Sequence, residues 1–152
     1  MSGELVVFIS SMLPITELRG SIPLGVAFYD LPVVWVFVLA VIGNLIAGAI
    51  VLLLLDLLIN RFLIHKIYIL NRFFSWLFAW TRKRHTEKFN RYRDLALILL
   101  VAIPLPFTGA WTGALAAFVF GIRFKRAFPL IALGVLIAGV IVSIVTLGIV
   151  SL

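Results

Sequence analysis

The chain has 152 residues, 64% of them hydrophobic, a mean hydropathy of +1.23, a net charge of +7 and no cysteine. That length holds one domain, and that hydropathy excludes an ordinary soluble core, so the chain reads as an all-α integral membrane protein. The lack of cysteine excludes a disulfide, a thiol nucleophile and a thiolate metal site.

The stretch Met1-Ser2-Gly3-Glu4 has no positive region, and no small-residue cleavage pattern follows the apolar residues after it, so this stretch is expected to be retained. The first apolar segment, 5–29, is broken in its middle. Leu5–Leu13 is apolar, Pro14-Ile15-Thr16-Glu17-Leu18-Arg19-Gly20-Ser21-Ile22-Pro23 interrupts it, and apolar residues resume at Leu24. An arm of nine residues spans about 14 Å as a helix and reaches only the middle of a hydrocarbon core about 30 Å thick. Proline removes a backbone donor and disfavours helix in the residue before it, so Pro14 and Pro23 mark interruptions. The segment is expected to dip in and return as a re-entrant hairpin; the alternative is a proline-kinked full span. Non-helical backbone at that depth has to be buried in protein or line a wet cavity.

Glu17 and Arg19 are the ionisable residues inside this segment. A charge at the bilayer centre costs about 2.5–3.5 kcal/mol or more, so such groups pair or line a pathway. One reading makes Glu17 a proton or cation site and Arg19 an anion contact; the other makes them an ion pair that pins the loop, and the two are compatible. Thr16 and Gly20 complete the candidate pathway residues here.

Residues 33–58 form an apolar run long enough to span the membrane, with Asn44 the polar exception within 42–51 and Asp56 near the cytoplasmic end. Asn44 is read either as bonding the hairpin tip or as binding a neighbouring helix. Segment 60–93 is different. Arg61, His65, Tyr68, Arg72, Ser75, Ala79 and Arg82 recur at alternating spacings of four and three, with large aromatics filling much of the rest. A basic amphipathic helix lying in the cytoplasmic interface is expected, followed by a solvated run that includes Lys83 and Arg84.

The fourth segment, 94–121, is broken like the first. Leu95–Ile103 is apolar, Pro104-Leu105-Pro106-Phe107-Thr108-Gly109-Ala110-Trp111-Thr112-Gly113 interrupts it, and apolar residues resume at Ala114. Thr108 and Thr112 offer hydroxyls, Trp111 an indole donor, and Gly109 and Gly113 close backbone approach. Half-helices starting near Gly113 and near Pro23 would aim their positive ends at a shared pocket, which favours an anionic ligand group. The spacing of the two glycines is also common in helix packing. A second spanning helix is expected over 127–151.

The last helix carries the evidence for duplication. Residues 42–51, Ile-Gly-Asn-Leu-Ile-Ala-Gly-Ala-Ile-Val, return at 133–142 as Leu-Gly-Val-Leu-Ile-Ala-Gly-Val-Ile-Val, seven of ten identical at an offset of 91. Paired halves with interrupted segments at corresponding places are a mark of repeat-built transporters. The charges add orientation. Nine of the thirteen basic residues lie between Arg61 and Arg93, and Arg123, Lys125 and Arg126 form a second cluster. Four simple spans would put these clusters on opposite faces; two re-entrant hairpins put both on one face, with Glu4 and Asp30 on the other. The expected architecture is thus an inverted repeat, each half a hairpin plus one transmembrane helix. Its basic segment is cytoplasmic and both termini lie outside. Arg61, Arg72, Arg82, Lys83, Arg84, Arg123, Lys125 and Arg126 would meet anionic lipid headgroups, a membrane surface rather than nucleic acid. Nucleotide-binding loops, serine-nucleophile elbows and zinc-protease motifs are missing, so no enzymatic activity, cofactor or metal is expected.

Pro14 to Gly25, Gly43-Asn44, Ile103 to Ala114 and Phe124-Lys125-Arg126-Ala127-Phe128 together resemble the prokaryotic small multidrug export protein family, over nearly the whole chain. The resemblance implies a cell-membrane exporter and a layout similar to the DedA-like proteins, a group implicated in moving or scrambling lipids. DedA-like proteins place arginines in the second hairpin region, where this chain has Thr and Trp. The leading expectation is a transporter for a small amphipathic or anionic substrate, proton- or cation-coupled through Glu17, acting as a homodimer. A lipid flippase or scramblase and a membrane scaffold are the alternatives.

Overall fold

The structure, a computed structural model, describes residues 2–58, 72, 75–76, 79, 87–106 and 108–152. All regular structure among the described residues is helical: α1 (Gly3–Met12), α2 (Glu17–Pro23) running into a π turn (Leu24–Phe28), α3 (Val33–Leu58), α4 (Glu87–Ala102), α5 (Ala110–Val119) and α6 (Phe124–Val150). The expected interfacial helix over 60–93 falls mostly outside the described residues. Arg72, Ser75, Trp76 and Ala79 are helical and exposed, and 87–93 open α4, so that helix starts before residue 94.

α3 and α6 are the two helices long and apolar enough to cross a membrane, each with a mean hydropathy of 2.8 over its most apolar stretch. At 26 and 27 residues they would extend about 40 Å. They run antiparallel: Phe37 near the start of α3 lies against Gly139, while Val33 and Val34 share a groove with Ile144 and Leu147.

The two broken segments both double back. In the first, the Tyr29 ring lies against Gly3, and Val7 closes over Gly25. The reversal occupies residues 13–16, and a hydrogen bond from Trp35 Nε1 to Glu4 Oε1 at 2.9 Å clasps the open end. In the second, Val101 closes over Gly113 and the open end is clasped by Arg126 Nε on Asp94 Oδ2 at 2.8 Å. Each clasp joins a carboxylate at the start of a segment to a donor on the following long helix, and Trp35 and Arg126 stand 91 residues apart.

Prolines shape these segments differently from expectation. The first interruption is shorter than Pro14 to Pro23, because α2 already begins at Glu17 and carries Pro23 at its end. Proline in a helix removes one backbone bond and crowds the preceding turn. The chain widens into the π turn immediately after Pro23, which accommodates that loss. The second interruption likewise ends early, with α5 starting at Ala110 behind Gly109 rather than near Gly113.

Packing relies on small residues. Ala40, Ala110, Ala114, Ala117 and Ala127 are fully buried, beside Val7, Ile22, Val36, Leu97 and Val135. Lipid tails are as apolar as leucine, so helices in a bilayer associate through close van der Waals contact, which small side chains permit. Gly43 seats α1 on α3 against the Phe8 carbonyl and Ser11, while Gly134 seats α4 on α6 against the Ile98 carbonyl and Val101. Gly43 and Gly134 are again 91 apart. The second arms cross over: α2 packs on α6 as well as α3, and α5 packs on α3 with Ala110 over Gly48.

Candidate functional site

The two reversals meet. Arg19 Nη2 donates to Thr108 Oγ1 at 2.6 Å, and Trp111 Nε1 donates to the Met12 carbonyl at 3.0 Å. Thr108 is itself held by the backbone of its own loop: its hydroxyl lies 2.8 Å from the Ile103 carbonyl and 2.9 Å from that of Leu105. The oxygen also accepts the Leu105 backbone N–H at 3.2 Å, and its remaining lone pair faces the guanidinium. On the other side, Thr16 donates to the Ser10 carbonyl and bends the 13–16 turn back on α1.

Glu17 is the most constrained residue of the site. It is 6% exposed and holds φ of 44°, a left-handed backbone that a residue with a Cβ adopts at a cost. Its carboxylate lies against Gly109 Cα and accepts the backbone N–H of Trp111. Gly109 is the N-cap of α5 and supplies no side-chain cap. Glu17 thus caps α5 from the opposite segment, a negative charge on the positive end of a helix dipole. Sequence reasoning left that end open for a ligand; here a carboxylate of the chain occupies it. Glu17 and Arg19 attract one another electrostatically, yet each directs its hydrogen bonds to the other tip.

Pro14, Ile15, Thr16, Glu17, Arg19, Pro104 and Pro106 line a cleft of about 290 Å³. A second, apolar cleft of about 320 Å³ shares Arg19 and Pro104 and continues past Pro23 to α6. The structure therefore brings together Pro14, Thr16, Glu17, Arg19, Pro104, Pro106, Thr108, Gly109 and Trp111. Gly20 serves the α2 turn, its N–H bonding the Thr16 carbonyl at 2.8 Å. Gly113 is a packing contact with Val101 and Ile131. Asn44 is fully buried on α3, and its amide, like the Ser21 hydroxyl, has no hydrogen-bond partner among the described residues.

Among the basic residues, Arg61, Arg82, Lys83 and Arg84 lie outside the described residues, and Arg72 is exposed. Arg123 and Lys125 are exposed around the start of α6, whereas Arg126 is engaged by Asp94. Two contributors escaped the sequence reading. Asp94 stands in the sequence only as the first residue of segment 94–121, although its place 90 positions after Glu4 pairs it with the opposite clasp. The α6 residues of the apolar cleft had no signal beyond general hydrophobicity.

The family described as "Putative small multi-drug export protein" matches over residues 17–141. No curated protein and no solved structure matches the chain. The matched span starts at Glu17, directly after the first reversal, and contains α3, the second reversal and α6 as far as Ile141.

Proposed function

The chain belongs to the small multi-drug export protein family, and from that premise we propose that it is a small membrane transporter whose substrate site is the junction of the two reversals. The observation that carries the reading is the pairing of the buried, conformationally strained Glu17 and the cleft-lining Arg19 with opposite-tip groups. Strained backbone and intramembrane charge concentrate at functional sites.

In this reading each doubled-back segment is a re-entrant hairpin and the two halves form an inverted repeat. The clasps support it, since Glu4–Trp35 sits at the start of α3 and Asp94–Arg126 at the start of the antiparallel α6. Both tips then lie near the midplane, and irregular backbone there is buried in protein or lines the clefts. Arg123 and Lys125 lie on the cytoplasmic face near anionic headgroups, with both termini outside. Glu17 carries the coupling proton or cation, Arg19 meets an anionic substrate group, and Thr108 holds the guanidinium in position. A second copy of the chain completes the assembly.

Flux of an anionic dye in proteoliposomes tests the site. Arg19→Gln and Thr108→Val are expected to reduce it at least tenfold and severalfold, respectively, as the anion contact and its support are lost. Unchanged flux in both variants would remove the junction from the pathway. Leaflet exchange of labelled phospholipid without any ion gradient would instead identify a scramblase.

A further inference from the structure

Arg19 has no counterpart in the second half. Ninety-one residues on stands Ala110, fully buried over Gly48, so the contact between α5 and α3 is closed. The corresponding contact between α2 and α6 contains the cleft of about 320 Å³, lined by Arg19, Pro23, Ile141, Val145, Thr146 and Ile149 among others. This one-sidedness is what a ligand site needs and what a symmetric packing seam lacks.

The cleft is chemically polarised. Val145 and Ile149 are exposed on α6, so it opens sideways along an apolar surface. The Thr146 hydroxyl is directed to the Val142 carbonyl at 2.8 Å, which turns its polarity into the helix. Arg19 is left as the charged end. A guanidinium has five N–H donors, and the hydrogen bond to Thr108 engages one nitrogen, Nη2. Because Arg19 lines both clefts, it stands where the apolar one meets the one that Thr16 and Glu17 also line. From Ile141 to Ile149 the helix offers about 12 Å of apolar wall.

We propose that this cleft binds a single-chain amphipathic anion, its carboxylate or phosphate head on Arg19 and its alkyl chain laid along Ile141–Ile149 of α6. The proposal rests on the transport reading only in treating Arg19 as a substrate contact. A planar guanidinium matches such heads with paired hydrogen bonds, while the exposed α6 wall admits the chain directly from surrounding lipid. The volume is at the lower end of the 300–1,000 Å³ typical of small-molecule sites, enough for one chain.

A decyl phosphate carrying a photoactivatable diazirine at the chain end tests this on the full-length chain in phosphatidylcholine vesicles, with adducts mapped by mass spectrometry. Adducts are expected within 141–150, competed by decyl phosphate and not by decyltrimethylammonium. Arg19→Gln should lower them at least tenfold and Arg19→Lys less. Val145→Trp, which narrows the cleft from the α6 side and leaves Arg19 in the chain, should lower them similarly, so the result does not depend on one variant folding. Competition by lysophosphatidic acid, a single-chain lipid, as well would assign the head to a lipid; its failure would assign it to a free amphiphile. Adducts spread evenly over α3 and α6, or equal competition by the cation, would overturn the proposal. Labelling reports binding without flux, so its failure beside intact Arg19-dependent transport would sink this inference and leave the transporter standing.

Discussion

Replacing Glu17 by Gln is expected to reduce gradient-driven transport in proteoliposomes at least tenfold while leaving substrate exchange at equal concentrations and the fold largely intact. The argument turns on what the substitution keeps. Gln retains the size of the side chain and a carbonyl oxygen that can accept the Trp111 backbone N–H, the bond by which Glu17 caps α5. It loses only the charge. A carboxylate on a helix N-terminus gains roughly 0.3–1 kcal/mol from the dipole, up to about 2 when partly buried, so the stability lost is modest. The ability to take up and release a proton or cation is lost entirely. If the gradient dependence of Glu17→Gln matches that of the parent chain, Glu17 is a cap alone and coupling resides elsewhere.

Substituting Gly109 by Val is expected to part the two tips, lowering stability by about 1–3 kcal/mol and abolishing transport. Any Cβ at this position would fall inside the Glu17 carboxylate. Glu17 cannot withdraw freely, because it is buried and its backbone is already held in a left-handed turn. The collision therefore has to displace the loop. A second substitution separates this cause from a general intolerance of side chains. Gly109→Ala alone should lower the thermal midpoint in detergent, and Glu17→Ala in the same chain should recover most of that loss without restoring coupled transport. Recovery absent from the double variant would mean that Gly109 is needed for its own backbone and not for Glu17.

Much of the architecture is legible from hydropathy and proline placement. The long apolar run at 33–58 coincides with α3, and Pro14 and Pro104 both fall at the reversals. The offset of 91 read from a ten-residue match reappears in three dimensions at Gly43 and Gly134 and at Trp35 and Arg126. Helix starts were less legible. Pro23 reads as a boundary because proline resists helix interiors, yet the π turn that follows lets α2 run through it from Glu17. Gly109 reads as a point of close backbone approach and is also the N-cap of α5.

Pairing across the molecule was the least legible layer. That Glu17 and Arg19 need partners or a cavity follows from the cost of burying charge, but their partners lie about ninety residues away. Local spacing carries no information about such contacts. The sequence reading offered an ion pair between them or separate roles; the structure sends one to the α5 terminus and the other to Thr108. The one-sided cleft follows from Ala110 standing opposite Arg19, a difference between the halves that hydropathy does not register.

The central claim is that both segments enter from opposite faces, turn near the midplane and leave on the side from which they came. The chain has no cysteine of its own, so single cysteines at 4, 30, 94 and 123 can be labelled with a membrane-impermeant maleimide from one aqueous face at a time. The account predicts that 4 and 30 react together from the outside and that 94 and 123 react together from the cytoplasm. Reaction of 4 and 30 from opposite faces would make the first segment a full span and contradict it.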